Sequence, residues 1–351
     1  WILNSQNKSL KLKFKLKELD IFIIDEMSMV NIDLIESVLS LLAKDCKIIL
    51  VGDKNQLSPV NNCSIWNYLF ENCDNSLIKS CIVNLNKTYR NIGDVALISS
   101  LIFDNDDSYL NQKIKELEKD KKSKEVTITK STVKDIPQNL FNSITSHLNK
   151  LKLSTSNLSK KKYIFDDDID NLLLNEKNLV DKIFHDLQSH LILCEKNSGI
   201  WSVEYLNEIV FGQKKPYDLK TLKEGVPIMC TKNNNELGLS NGDIGVLIGE
   251  KNERRYLFRK FNDINEQIVE LIDPSNLENV VPALALTIHK SQGSESEKVS
   301  ILWSQESRRK PYAVRDQKED ENIFCSDNFE RRLLYTGITR SKKFLDIYYL
   351  N

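Results

Sequence analysis

No apolar run in this 351-residue sequence approaches the ~20 residues that a membrane-crossing helix needs, and no secretory leader is visible. No cysteine pair has C-x-x-C spacing, and the seven cysteines (Cys46, Cys63, Cys73, Cys81, Cys194, Cys230, Cys325) are odd in number. This speaks against a zinc site or a disulfide framework and for reduced thiols in a cytoplasm. Net charge is nearly absent too: 49 Lys and Arg face 50 Asp and Glu, giving −1. Without a global basic field, any nucleic-acid contact must come from a local groove. None of the 11 glycines is followed by lysine, so the phosphate-cradling pattern G-x-x-x-x-G-K-[ST] does not occur. No internal repeat is visible.

What is present is ordinary in bulk. Hydrophobic residues make up 40% and charged residues 28%, the balance of a globular chain, and the length suits two or three domains. Residues 8 to 17 alternate Lys with Leu or Phe, the period of a half-buried strand. Ile21, Phe22, Ile23 and Ile24 form a short apolar run of the kind buried on both faces of a parallel sheet. Residues 33 to 44 have helical spacing, and residues 47 to 51 read as a second buried strand, so the pattern is α/β. Residues 104 to 178 are rich in Lys, Glu, Asp and Ser and read as a charged helical insertion or linker between the regions 1–103 and 179–351. Short strands and the turn residues Asn241, Gly242 and Asp243 point to a small β-barrel at about 226–284. The end returns to strand and helix.

Five segments carry chemistry. IFIIDEMSMV delivers Asp25 and Glu26 to the C-terminal edge of a strand, where open α/β sheets bind ligands. Such a pair suits a Mg²⁺-holding carboxylate followed by a base for water; a solvated strand end is the plain alternative. IILVGDKNQLSPV places Gln56 in a polar turn, where its amide can both donate and accept hydrogen bonds. VNLNKTYRN pairs Tyr89, a flat face for a base, with Arg90, a fixed fork of donors for phosphate. ALALTIHKSQGSESEKV runs from a strand into a polar loop with Gly293, with a helix expected after it whose N-terminus would attract phosphate. LLYTGITRSKK sets Arg340 after a helical apolar pattern. Taken singly, each of these polar residues could be a solvated surface group.

In order and residue type, the segments DEMSM, GDKNQL, YR, TIHKSQGSE and YTGITRSKK resemble motifs II to VI of superfamily 1 DNA helicases. The resemblance covers about Leu19 to Tyr349 apart from the charged segment. LCEKNSGIWSVEYLNE and GVPIMCTKNNNELGLSNGDIGVL are similar to the RecD-like branch, the latter to the entry into its small Src-homology-like barrel. The resemblance implies two RecA-like α/β domains of the P-loop NTPase type with a small inserted β-barrel, ATP and Mg²⁺ bound between the domains, and single-stranded DNA across their top. It implies that Asp25 holds Mg²⁺, Glu26 activates water and Gln56 couples phosphate to motion. Tyr89 would stack on adenine, Arg90 and Arg340 would be arginine fingers, Gly293 and Glu295 would approach the nucleotide, and Thr287 and His289 would sit near the DNA backbone. Thr339 and Lys342 stand beside them with no role assigned. The lysine-bearing residues 8 to 17 lie where this branch carries a strand-separating hairpin, an ordinary edge hairpin being the other reading.

The implied activity is an ATP-dependent DNA helicase, 5′→3′ in polarity, acting on DNA ends with RecB-like and RecC-like subunits as part of exodeoxyribonuclease V in recombination and break repair. A non-catalytic DNA-binding or assembly subunit is the rival reading, and an RNA helicase a weaker one. Two departures stand out. Motif I is absent, and the sequence opens on Trp1 rather than Met, so an upstream segment carrying motif I is expected. Gly337 replaces an alanine usual in motif VI. Without motif I, the first sheet is expected to show an uncovered edge and apolar face. The 351-residue chain by itself is expected not to hydrolyse ATP: a purified sample assayed with single-stranded DNA should show no turnover, and robust DNA-stimulated turnover would mean a phosphate cradle of another kind.

Overall fold

The computed structural model describes residues 16–58, 65–71, 79–85, 93–103, 107–119, 125–132, 134–161, 175–250, 253–261, 267–304 and 328–350. The chain divides into two compact units, one of residues 1–88 with 327–336, the other of residues 89–326 with 337–351. Among the described residues no helix is long and apolar enough to cross a membrane. Most of the lysine-alternating stretch lies outside the described residues; at its end Leu16 and Lys17 are helical rather than extended.

In the first unit, β1 (Ile21–Ile24) and β2 (Lys47–Leu50) form a two-stranded parallel sheet. Between them runs α1 (Ile32–Leu39), started by Asn31, whose side chain accepts a hydrogen bond from the Leu34 amide at 2.9 Å. Met27, Ile35 and Trp66, the last on α2 (Ile65–Glu71), make a small core with Ile24, Leu50 and Phe70. Burial of β1 and β2 on both faces does not occur. Ile21 and Ile23 are 51% and 59% exposed, and Ile48 and Ile49 fare little better. Among the described residues neither strand has a second neighbour, and this core covers only part of the sheet's surface. Among the described residues, apolar side chains of both strands are thus open to solvent.

The second unit contains a five-stranded parallel sheet in the order β10 (Leu286–Thr287), β4 (His190–Cys194), β11 (Ser296–Ser304), β12 (Ser341–Leu350) and β3 (Val126–Ser131). The α/β class expected from the sequence is the one observed. The stretch 104–178 is not a solvated linker throughout. It supplies β3 as an edge strand, α4 (Asp107–Lys119) beside it, and the 22-residue helix α5 (Gln138–Ser159). Leu140 and Ile144 of α5 pack with Ile192 and Cys194 of β4, Leu302 of β11 and Tyr348 of β12. The charged residues on either side of this helix hide its buried stripe in the composition of the stretch. The helix α3 (Gly93–Leu101) buries Val95, Ile98 and Leu101.

Between β4 and β10 lie α7 (Val203–Phe211) and a five-stranded antiparallel sheet, ordered β8 (Gln267–Ile272), β7 (Arg255–Phe261), β6 (Ile244–Ile248), β5 (Pro227–Cys230), β9 (Val280–Pro282). It occupies the span read as a barrel, but among the described residues its outer strands β8 and β9 are not paired with each other. Alternate residues serve two cores, as a period of two requires. Leu247, Tyr256 and Phe258 face one side with Ile228 and Ile272. Val246, Ile248, Leu257 and Leu271 face Leu158 of α5 and Val180, Ile183 and Phe184 of α6 (Lys177–Gln188). The helix α5 comes so close to the entry of β5 that a Cβ on Gly225 would stand 2.6 Å from the Lys152 amide nitrogen; with φ at +88°, only glycine fits.

Where α5 meets β4, His147 and His190 stack edge to face at 5.4 Å between ring centres, both nearly buried. The His190 Nε2 lies 2.9 Å from the Ser300 hydroxyl. Burial pushes the His147 pKa down to about 4, nearby Lys150 adding to this and Asp186 opposing it. Burial, then His147 and Lys298, hold His190 well below the usual histidine value. Both rings are therefore neutral in the folded chain, while the unfolded chain takes up protons near pH 6.5. Stability is thus expected to fall as pH drops from 6.5 towards 4, by on the order of 3 kcal/mol from His147 alone. Denaturant titrations of wild type and His147→Gln at pH 7 and pH 4.5 check this: the variant should lose less stability on acidification.

Candidate functional site

The first unit places its candidates at strand ends. Asp25 and Glu26 follow β1 directly, at its C-terminal edge. Glu26 has φ 50° and ψ 41°, a left-handed conformation that a non-glycine residue adopts at a cost of roughly 1 kcal/mol or more. Two bonds hold it there. The Glu26 amide donates to the Asp25 carboxylate at 2.7 Å, and the next amide, of Met27, donates to the Val51 carbonyl at 2.9 Å. Gly52 after β2 makes room for this turn: a Cβ there would stand 3.2 Å from the Met27 nitrogen and 3.3 Å from that of Ser28.

The turn after β2 is tied to α8 (Asn328–Ile338), whose residues up to Thr336 belong to the same unit. Tyr335 donates its hydroxyl to Asp53 at 2.8 Å, the Leu57 amide donates to the Thr336 hydroxyl at 3.1 Å, and Arg332 reaches the Ser58 hydroxyl at 3.3 Å. Gln56 is only 8% exposed, and among the described residues its buried Oε1 accepts no hydrogen bond. Asp53 was not singled out in the sequence, although it ends an apolar strand just as Asp25 does. Tyr89 and Arg90 lie outside the described residues.

In the second unit the fourth segment is split between the two ends of the parallel sheet. Thr287 pairs with Cys194 at the C-terminal end of β4, and its hydroxyl accepts from the Lys290 amide at 3.4 Å. His289 follows in a short 3-10 turn (Ile288–Ser291), its pKa lowered by partial burial. Gly293 and Glu295 instead come just before β11, at the N-terminal end. The helix expected after Gly293 is absent, because residues 296–304 with their β-branched Val299 and Ile301 enter the sheet. A helix dipole therefore cannot draw phosphate to this loop. Gly293 has φ +78°, and a Cβ there would meet nothing within 4 Å, so the glycine serves the backbone path and not packing.

Arg340 stands at the same end, immediately before β12, and is 1% exposed. Its guanidinium donates to the Ser294 carbonyl and to the Thr339 hydroxyl, each at 3.3 Å, while its own carbonyl accepts from the Ser296 amide at 2.9 Å. Glu295 forms an ion pair with Lys342. Gly293, Glu295 and Lys342 line one cleft of about 610 Å³, with His147, His190 and Arg259 also on its walls. Gly337 has a packing reason: a Cβ would lie 3.1 Å from Ile301 Cδ1 and 3.3 Å from Ile288 Cδ1. Among the described residues, no group of three or more His, Cys, Asp or Glu is arranged to hold a metal ion, and the four described cysteines are free thiols.

Residues 4–62, which contain the acid pair and Gln56, match an AAA domain family. The RecBCD enzyme subunit RecD of Buchnera aphidicola subsp. Schizaphis graminum (strain Sg) is 28% identical, over 99% of this chain and 57% of that protein. The RecD of Buchnera aphidicola subsp. Acyrthosiphon pisum (strain APS) is 27% identical, over 94% and 54%. The chain is RecD-like. It spans about half the length of the curated relatives it matches. Among solved structures, Bacteroides Pif1 bound to ssDNA is a loose likeness, at 16% identity and a TM-score of 0.47 over 98% of this chain and 72% of that one.

The unpaired Gln56 oxygen gives the RecD-like chain a measurable signature. A buried acceptor without a partner costs roughly 1–3 kcal/mol, and an apolar group of similar shape removes that cost. Gln56→Met is therefore expected to leave the thermal unfolding midpoint unchanged or raise it. A clear fall in calorimetry would reveal a partner for Oε1.

Proposed function

We propose that this chain is the larger part of an ATP-dependent DNA helicase motor, acting within an exodeoxyribonuclease V-type assembly. The observation that carries the reading is the acid turn after β1: a left-handed Glu26, held by Asp25 and Val51, at the strand edge where phosphoryl chemistry is conducted in α/β sheets. Similarity to RecD along nearly the whole chain supports it.

In this reading Asp25 holds Mg²⁺ with one carboxylate, which suits a cation that keeps several waters and takes its other ligands from phosphates. Bound there, the ion neutralises charge on the phosphate oxygens. Glu26 orients the attacking water and accepts its proton while the new O–P bond forms and the bond from the γ-phosphorus to the bridging oxygen breaks. Gln56, with an unused acceptor, takes a hydrogen bond from that water. Arg90 supplies positive charge to the transferring phosphoryl group and Tyr89 stacks on the base of ATP; Arg340 joins Arg90 only by leaving its buried bonds to Ser294 and Thr339. Gly293 and Glu295 approach the nucleotide. Thr287 and His289, at the other end of the sheet, contact single-stranded DNA through its backbone, so binding weakens with salt. DNA ends, with RecB-like and RecC-like subunits, are the proposed partners, and translocation is 5′→3′.

The test is Glu26→Gln in the full-length protein. It is expected to abolish DNA-stimulated ATP hydrolysis while Mg-ATP binding, followed with a fluorescent nucleotide, stays within about twofold, since the amide keeps the shape but removes the base. Near-normal hydrolysis in this variant would refute the assignment.

A further inference from the structure

The loop before β11 is bonded to the segment that opens β12, while Ser296, where the strand begins, also donates its hydroxyl to the Gln188 carbonyl at 2.8 Å. Successive residues of the two segments are matched. The Ser294 carbonyl accepts from the Arg340 guanidinium at 3.3 Å, Glu295 pairs with Lys342, and the Ser296 amide donates to the Arg340 carbonyl at 2.9 Å. Arg340 immediately precedes β12, and Lys342 lies where the ladder shifts register between Ser341 and Phe344, so plain strand alternation does not govern the two side chains. Their environments differ sharply. Arg340 is 1% exposed, whereas the side chains of Lys342 and Glu295 are 44% and 39% exposed and line the 610 Å³ cleft. The buried arginine is a fixed tie to the loop's backbone. The Lys342–Glu295 pair is a solvent-screened tie to its only carboxylate, on a loop where a Cβ at Gly293 would touch nothing.

We propose that Lys342 is a positioning residue for nucleotide binding: it holds the Glu295 carboxylate, and through it the loop at residues 293 to 295, in the arrangement that receives a nucleoside triphosphate. This rests on the motor reading above. Lys342 acts through Glu295 and takes no part in hydrolysis, so its loss should weaken nucleotide binding and spare the chemical step. An exposed ion pair is also easily exchanged, so the tie can yield to the ligand without a large penalty.

The experiment compares wild type, Lys342→Ala and Lys342→Arg in the full-length protein, by ATP titration of DNA-stimulated hydrolysis and by equilibrium binding of fluorescent ADP. Lys342→Ala should raise KM for ATP and the ADP dissociation constant by about threefold to fivefold, the scale of an exposed pair, with kcat within about twofold. Lys342→Arg should restore most of the affinity, and the defect should shrink as salt is raised. In a Glu295→Gln background, Lys342→Ala should add nothing further, because both act through one contact. Unchanged affinity in Lys342→Ala, or a full effect persisting beside Glu295→Gln, would overturn the proposal. ADP binding without hydrolysis in wild type would refute the motor reading and leave this one standing on the affinity comparison. Absence of both in wild type would sink the two together.

Discussion

The parallel ladder between β11 and β12 is the contact on which the second unit's candidate site depends. Its register sets Ser296 opposite Ser341, shifts by one residue, and runs from Lys298 opposite Phe344 to Ser304 opposite Leu350. Because the ladder starts there, the residues just before each strand are forced together, and the Arg340 carbonyl takes the Ser296 amide. The buried Arg340 side chain and the paired Glu295 and Lys342 follow from that one alignment. The one-residue shift that follows Ser341 lets Lys342 turn to solvent beside Glu295 while Arg340 stays buried.

The helix α5 plays the equivalent part for the core. One end packs on the parallel sheet through Leu140 and Ile144, the other on the antiparallel sheet through Leu158. The two sheets of this unit are thereby held by a single rigid rod, and Gly225 marks the closest approach. The neutral histidine pair sits along the same helix, so acid that charges it acts on the element both sheets share.

The first unit is organised differently. Its strain is concentrated at Glu26, and the bonds that retain it come from neighbours in sequence and from the end of β2. Backbone strain persists where surrounding contacts over-determine it, and it gathers at sites of ligand chemistry. Among the described residues, this unit leaves apolar side chains of both strands in contact with solvent and buries a small cluster around Met27, Ile35 and Trp66.

Much of this was legible in the residues. Apolar runs ending in acids announce β1 with Asp25 and Glu26, and KIILV ending in Gly52 announces β2, because local hydrophobicity and turn chemistry act within a few residues. The motif order carries the resemblance to the RecD-like branch before any coordinate is known. Other features depend on partners far along the chain. Residues 126–131 are a strand only because β12 offers a ladder more than two hundred residues later, and residues 104–178 conceal α5 because the charged residues around it dominate the composition of the stretch. No helix follows Gly293 because the parallel sheet takes up those residues. The burial of Arg340 and the pairing of Lys342 are likewise invisible to spacing alone. Sequence determines what each short segment can do by its own period and charge; which of those options is realised is decided by the long-range pairing that buries one face and leaves the other wet.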